Sequence, residues 1–477
     1  MTIQQNPAPR MAGIVSSLAK NAWVWVVVTI AAVLNWLAFS LNGVPETAAL
    51  ASRWVAILAL GYLTWKKKSL TVWILYSLVL GAELGFDFPQ FADWYNVFSK
   101  IFIKLIKTII APLLFGTLVV GIAGHADMKQ VGRMGLKALI YFEVVTTIAL
   151  VIGLFAINIS KAGVGIPQMD LSGELPEVRT PMTGPEIVLH TFPENIVKSI
   201  AEGEILQIVV FCLLFAFAMT LVPFGQRRPF LVFAESLSEI MFKFTGLVMY
   251  IAPFGVGGAI AYTVAKMGLG VFQNLAMLLV TLYVALFVFV LFVLVPIAFF
   301  FKVPLRRFWK YASEPVTIAF ATTSSEAALP KALENMEKYG VSRKVVSFVL
   351  PTGLSFNLDG STLYLSLAAI FVAQAANIHL TIGEQIAMLV TLMLTTKGIA
   401  GVSRASLVIL LGTAASFGLP EWPIAAILGI DALMDMGRTA TNTLGNCLAT
   451  AIVGKWENEV HFEEGKDAVP APAVDGH

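Results

Sequence analysis

The sequence predicts an all-α polytopic membrane protein, and three observations carry that reading. Of its 477 residues, 57% are hydrophobic and 13% charged, a balance outside the range of soluble domains. Apolar stretches follow one another near 22–42, 48–65, 69–87, 95–124, 136–158, 196–222, 231–264, 271–300, 344–375 and 423–454. Most are long enough to cross ~30 Å of hydrocarbon. Lys and Arg, in turn, gather in alternate loops.

The first stretch follows Arg10 and Lys20. A signal-peptide core runs only about 7 to 15 residues, so this longer stretch reads as a retained helix. Lys66-Lys67-Lys68, Lys129 with Arg133 and Lys137, Arg227-Arg228, Lys302 with Arg306, Arg307 and Lys310, and Lys338 with Arg343 and Lys344 mark the cytoplasmic side. The intervening Gly43–Glu46 and Asp87–Asp93 segments carry no Lys or Arg, and 160–194 is rich in Gly, Pro and acids. Both termini are therefore expected in the cytoplasm, with the chain multi-pass in a bacterial-type inner membrane. Spans longer than about 25 residues must tilt, bend or protrude.

Other function classes receive little support. A formal charge of +2 gives no reason to expect a nucleic-acid partner. Cys212 and Cys447 lie in apolar spans and suggest neither a disulfide framework nor a metal site. No nucleophile-base set, phosphate loop or metal-ligand cluster is visible, so no cofactor is expected and an enzyme is a distant reading. The tail 457–477, polar and then rich in Pro and Ala, is expected to be disordered.

Two regions are neither clean spans nor ordinary loops. Residues 313–337 hold an apolar half, a knot at Thr322-Thr323-Ser324-Ser325 and a second half opening near Pro330. Residues 384–417 repeat the plan around Thr395-Thr396-Lys397-Gly398, Gly401 and Ser403-Arg404. Each half is too short to cross alone. Each region is therefore expected to be a re-entrant helical hairpin, one from each face, because irregular backbone at membrane depth survives only inside protein or against a wet cavity. Between them, Pro351-Thr-Gly353-Leu-Ser355-Phe-Asn357-Leu-Asp359-Gly360-Ser361 is expected to unwind and offer carbonyls to a cation.

The last span carries the densest polar signal. At about 100° per residue, Asp431, Asp435, Arg438, Asn442 and Asn446 share an arc of roughly 80°. Buried charges are costly unless paired or hydrated, so this face should line a site for a small charged solute. A structural Asp435–Arg438 ion pair at i, i+3 is the alternative.

These motifs resemble the glutamate transporter family, the dicarboxylate/amino acid:cation symporters. The resemblance runs over roughly 69–456, leaving 1–68 as an N-terminal extension with two extra helices whose default role is peripheral packing. It rests on SSEAALP in the first hairpin, NLDGS, the Gly-rich second hairpin and DxxxDMGRTxxNxxGN. It implies eight family helices, two hairpins, a homotrimer, and a mobile transport domain that moves like an elevator along a static scaffold. That domain would hold the third, sixth, seventh and eighth family helices with both hairpins. By the same resemblance, Arg438 holds the substrate's side-chain carboxylate, Asp435 its ammonium, Thr439 a neighbouring amino-group contact and Asn442 the main-chain carboxylate. Ser361 stands near the distal carboxylate, Ser324 and Ser325 at the first hairpin tip, and Ala400 and Gly401 at the gating second tip. Related C4-dicarboxylate transporters lack the aspartate equivalent to Asp435, which favours L-glutamate or L-aspartate.

The resemblance also bears on the coupling ion. Sodium-coupled members end the last motif in Gly-Asp where this chain has Asn446, and they place a threonine where it has Val145. Lys397 stands where small residues flank a sodium site, although Asn357 and Asp359 are retained. Protons are therefore the expected coupling ion. Glu143, inside an apolar span, is the leading carrier, with Asp431 and Glu326 behind it; Lys397 is expected to act as a fixed ammonium toward Asp359 or the hairpin carbonyls. The position of the mammalian proton-carrying glutamate is Leu365. The expected function is proton-coupled uptake of glutamate or aspartate. C4-dicarboxylate symport and an anion-conducting channel are the alternatives.

Overall fold

The computed structural model describes residues 22–41, 45–67, 69–123, 130–166, 189, 192–202, 204–396 and 405–461. Its regular structure is helical apart from one isolated β-bridge. The described residues begin with α1 (Ala22–Leu41), α2 (Glu46–Lys67), α3 (Leu70–Asp87), α4 (Ala92–Ala123) and α5 (Gln130–Ser160). They continue through α6 (Ile196–Glu202), α7 (Ile205–Leu221), α8 (Phe224–Met249), α9 (Ala252–Met267) and α10 (Val271–Phe300, with a π-helical turn over Val290–Leu294). The last part holds α11 (Leu305–Thr322), α12 (Ser325–Tyr339), α13 (Arg343–Phe356), α14 (Asp359–Ala375), α15 (Ile382–Thr395), α16 (Ala405–Ser416) and α17 (Trp422–Trp456). Five of the described helical stretches are long and apolar enough to cross a membrane, or six with α8 and α9 counted as one bent span.

The apolar stretches locate these helices but miss their breaks. The expected span 231–264 is two helices bent by 50° at Tyr250–Ile251. There the N–H groups of Tyr250 and Ile251 turn to the carbonyls three residues back, Leu247 and Val248, and Pro253 has no N–H to continue the ladder. The stretch 196–222 divides at Glu204, whose N–H reaches Ser199 O at 2.9 Å. In the first predicted hairpin the arms are longer than expected, and the second begins at Ser325, not near Pro330. The tail also starts later than its composition suggests. Residues 457–461 fold back on the α12–α13 turn, with Val460 bridging Val341 and His461 N donating to Gly340 O at 2.8 Å; 462–477 lie outside the described residues.

The helices sort into two packed groups. In one, α3 and α4 pack on α9, α4 also packs on α7 and α8, and α1 and α2 attach through α3. In the other, α5, α10 and α11 to α14 surround α17, and α15 and α16 lean on α14. The groups meet where α9 and α3 touch α17, where α15 and α16 touch α7 and where α16 touches α4. Glycines permit the close helix approach: a Cβ on Gly81 or Gly85 of α3 would lie 2.3 Å from the Gly257 or Ala261 carbonyl of α9.

Polar bonds fasten the N-terminal pair. Arg53 of α2 places Nε 2.5 Å from Glu83 Oε1 and Nη2 2.8 Å from Asp87 Oδ1, both on α3. Trp54 Nε1 donates to Asp87 Oδ2 at 2.8 Å, and Arg53 Nη1 donates to Asn35 Oδ1 of α1 at 3.2 Å. Two carboxylates one turn apart in an apolar helix need such a partner. Arg53→Met is therefore expected to lower the unfolding temperature of the purified protein by several degrees, and the triple change Arg53→Met, Glu83→Gln, Asp87→Asn to recover most of it. An unchanged melting curve for Arg53→Met would show that apolar packing alone holds the pair.

Candidate functional site

α17 remains helical for 35 residues, so its polar arc survives intact. Asp431, Asp435, Arg438, Thr439, Asn442 and Asn446 are all buried. Arg438 is the centre of the arc. Its Nε donates to Asp435 Oδ1 at 2.8 Å, its Nη1 lies 3.0 Å from Asp431 Oδ1, and its guanidinium carbon sits 4.2 Å from the centre of the Tyr364 ring on α14. The i, i+3 ion pair is thus present, and Thr439 Oγ1 adds a bond to the same Asp435 oxygen at 3.1 Å. Nη2 has no hydrogen-bond partner among the described residues, and the side chain is 1% exposed. A buried guanidinium with one committed edge and one uncommitted donor is suited to a carboxylate.

The second wall comes from the break between α13 and α14. Asn357 and Leu358 leave helical geometry (ψ 66° and 57°), which turns the first N–H groups of α14 toward α17. Asn442 receives them: its Oδ1 accepts from Gly360 N at 2.8 Å and Ser361 N at 3.2 Å, while its Nδ2 donates to Ser361 Oγ at 3.0 Å. Gly360 allows this approach, since a Cβ there would lie 2.4 Å from the Arg438 carbonyl. Ser361 and Asn442 are thereby brought together by bonds to each other.

Asn357 and Asp359 form a neighbouring polar cluster. Asn357 Nδ2 donates to Asp359 Oδ2 at 3.3 Å, both residues have no exposed surface, and the buried Tyr141 of α5 lies near Asp359. Gly445 lies against this carboxylate, and Gly353 against the Asn446 amide. Among the described residues neither amide atom of Asn446 has a hydrogen-bond partner, nor does Asn357 Oδ1.

The hairpin tips are represented in part. α11 ends at Thr322, Thr323 adopts a left-handed conformation (φ 53°, ψ 32°), and Ser324 caps α12 by accepting from Ala327 N at 3.2 Å. Ser325 is buried behind it. Lys397, Ala400, Gly401 and Arg404 lie outside the described residues.

Glu143 does not share the Asp359 face. It is two residues from Tyr141, about 200° around a helix, whereas the buried Val145 stands on the Tyr141 side. Thr147, one turn beyond Glu143, touches Met393 Sδ at 3.6 Å, and Asn158 Nδ2 donates to Gln385 Oε1 at 3.0 Å. These pairs run antiparallel, so the half-buried Glu143 lies level with the inner end of α15. Asp431, read from sequence as a coupling candidate, pairs with Arg438. Sequence reasoning missed Tyr364 and Tyr141 because a buried aromatic is usual in an apolar span; Gly360, Gly353 and Gly445 were visible as glycines among polar residues.

Comparison with known proteins matches residues 70–456 to the model of the sodium:dicarboxylate symporter family. The chain belongs to that family. It is a secondary active transporter rather than a member of an enzyme class. It is 42% identical over 410 residues to a "Proton/glutamate-aspartate symporter" of Escherichia coli (strain K12), covering 82% of this chain and 94% of that protein. It is 39% identical over 417 residues to a "Proton/sodium-glutamate symport protein" of Geobacillus stearothermophilus, covering 85% and 98%. A "C4-dicarboxylate transport protein" of Bacillus subtilis (strain 168) is also 39% identical, over 406 residues, 84% and 96%.

Gly360→Ala should separate α14 from α17 and break the Asn442 bonds. Substrate binding to the purified protein is expected to weaken at least tenfold, whereas Gly246→Ala, where nothing lies within 4 Å of the added carbon, should bind normally. Equal binding by both variants would contradict the role given to that contact.

Proposed function

We propose that this protein is a proton-coupled symporter for L-glutamate or L-aspartate. The observation that carries the reading is the buried Arg438, held by Asp431, Asp435 and Tyr364 with Nη2 uncommitted. Its uncommitted N–H group donates to a substrate carboxylate. Asp435 Oδ1 is shared by Arg438 and Thr439, and the same carboxylate receives the substrate ammonium. Asn442 orients the second carboxylate and Ser361 stands near the one that Arg438 holds, with Ser324, Ser325, Ala400 and Gly401 closing over the substrate from the two hairpin tips. An amino dicarboxylate satisfies both signs of charge at once; a plain C4 dicarboxylate leaves Asp435 facing like charge, which makes C4-dicarboxylate symport the second reading.

Protons are the coupling ion in this account. Asn446 supplies an amide where a sodium site needs a charge, and Val145 supplies no oxygen. Glu143, beside the α15 arm, takes the proton, and Lys397 substitutes for a bound cation near Asp359. The transporter works as a homotrimer in the inner membrane with both termini cytoplasmic, and the α5, α10 to α17 group carries substrate past the rest like an elevator.

Proteoliposomes loaded to impose a proton or a sodium gradient separately decide the coupling. Labelled glutamate and aspartate are expected to accumulate under the proton gradient alone; accumulation driven only by sodium overturns the assignment. Glu143→Gln is expected to abolish gradient-driven accumulation by tenfold or more while exchange of internal for external substrate continues. If Glu143→Gln accumulates like the parent protein, another carboxylate carries the proton.

A further inference from the structure

The two helix groups are joined by a polar contact that the substrate site does not use. Lys107 is the sixteenth of the 32 residues of α4, counting from Ala92, and so sits near the middle of a span. An ammonium at that depth is costly without a partner and marks a functional position. Its partner is the Glu421 carboxylate, which lies in the other helix group, immediately before α17. Five residues earlier, Ser416 Oγ at the end of α16 donates to Glu204 Oε2 at the start of α7, at 3.3 Å. One turn, 416–421, therefore binds both α4 and α7. Between its two contacts Leu419 is buried, its N–H bonded to Ala414 O at 2.7 Å.

Chemistry makes this contact suited to opening. The Lys107 and Glu421 side chains are 41% and 48% exposed, so packing does not enclose the pair, and a partly exposed ion pair is weakly held. Both partners of the second contact are single polar groups on helix ends. Both contacts are polar and neither crosses the Arg438 site, while Leu419 between them belongs to the same buried apolar cluster as Ile106 and Ile109 of α4. Opening this junction therefore uncovers Leu419.

We propose that Lys107–Glu421, supported by Glu204–Ser416, is a latch that holds the α16–α17 turn against α4 and α7 in one state of the transport cycle and opens for the other. This rests on the reading that the two helix groups move past one another. When the turn moves away, Lys107 is left at mid-span without Glu421, and the cost of that separation sets the balance between the two states. Lys107 is thus a positioning residue for the cycle and has no contact with substrate.

Two measurements decide the proposal, both with Cys212 and Cys447 replaced by alanine. In Lys107→Cys/Glu421→Cys, a short bis-maleimide is expected to join the two helix groups and to reduce uptake of labelled aspartate at least twentyfold while leaving its binding intact. Cross-linked protein that transports at the rate of the unlinked protein overturns the latch. The second measurement needs no transport. Maleimide labelling of Leu419→Cys is expected to run several-fold faster when Lys107→Met is added, and to return to the slow rate in the charge swap Lys107→Glu/Glu421→Lys. An unchanged rate with Lys107→Met overturns the latch by itself. If unlinked protein accumulates neither glutamate, aspartate nor succinate, the functional reading fails, and the labelling rates still decide the latch.

Discussion

The site depends on keeping one guanidinium inside a long apolar helix. Arg438 has no exposed surface, and its charge is tolerable there because Asp431, Asp435 and the Tyr364 ring surround it. Breaking a buried ion pair by removing one partner costs about 3 to 5 kcal/mol, so none of these groups can change alone without consequence. The grouping also explains why α17 must stay regular. A bend anywhere between 431 and 446 would rotate part of the arc into neighbouring helices.

Other features follow from serving that arc. Breaking the helix at Asn357–Leu358 frees the N–H groups that Asn442 accepts, and glycine at 360 lets the two backbones approach. The same break places Asn357 and Asp359 beside Tyr141 and Gly445, next to the Asn446 amide. The proposed substrate and ion groups are therefore adjacent through shared backbone. An elevator cycle would carry both together.

Much of this was legible in the sequence because polar residues in apolar spans have few physical explanations. The phase of five α17 positions, the unwinding at Asn357 and the turn at Thr322–Ser325 were all readable from residue type and spacing. Breaks made without polar residues were not: the bend at Tyr250–Ile251 looks apolar throughout. Partners were also hidden, because a helix phase states which residues share a face and not what faces them. Asp431 was legible as a buried acid, but not as the second partner of Arg438. Glu143 was legible as an acid in a span, but the side of α5 it occupies emerges only from Tyr141, Thr147 and Met393. The N-terminal helices, by default peripheral packing, turn out to be fastened through Arg53 to two acids that lie in different turns of α3.

Affinity in Asp435→Asn tests the central claim most directly, since the amide keeps an oxygen for Arg438 and Thr439 and loses only the charge. Equilibrium binding of aspartate and succinate would be measured on the purified parent protein and the variant. The account predicts that aspartate binding falls a hundredfold or more while succinate binding is retained or improved. Equal losses for both ligands would contradict it, because Asp435 would then serve only to hold Arg438 in place.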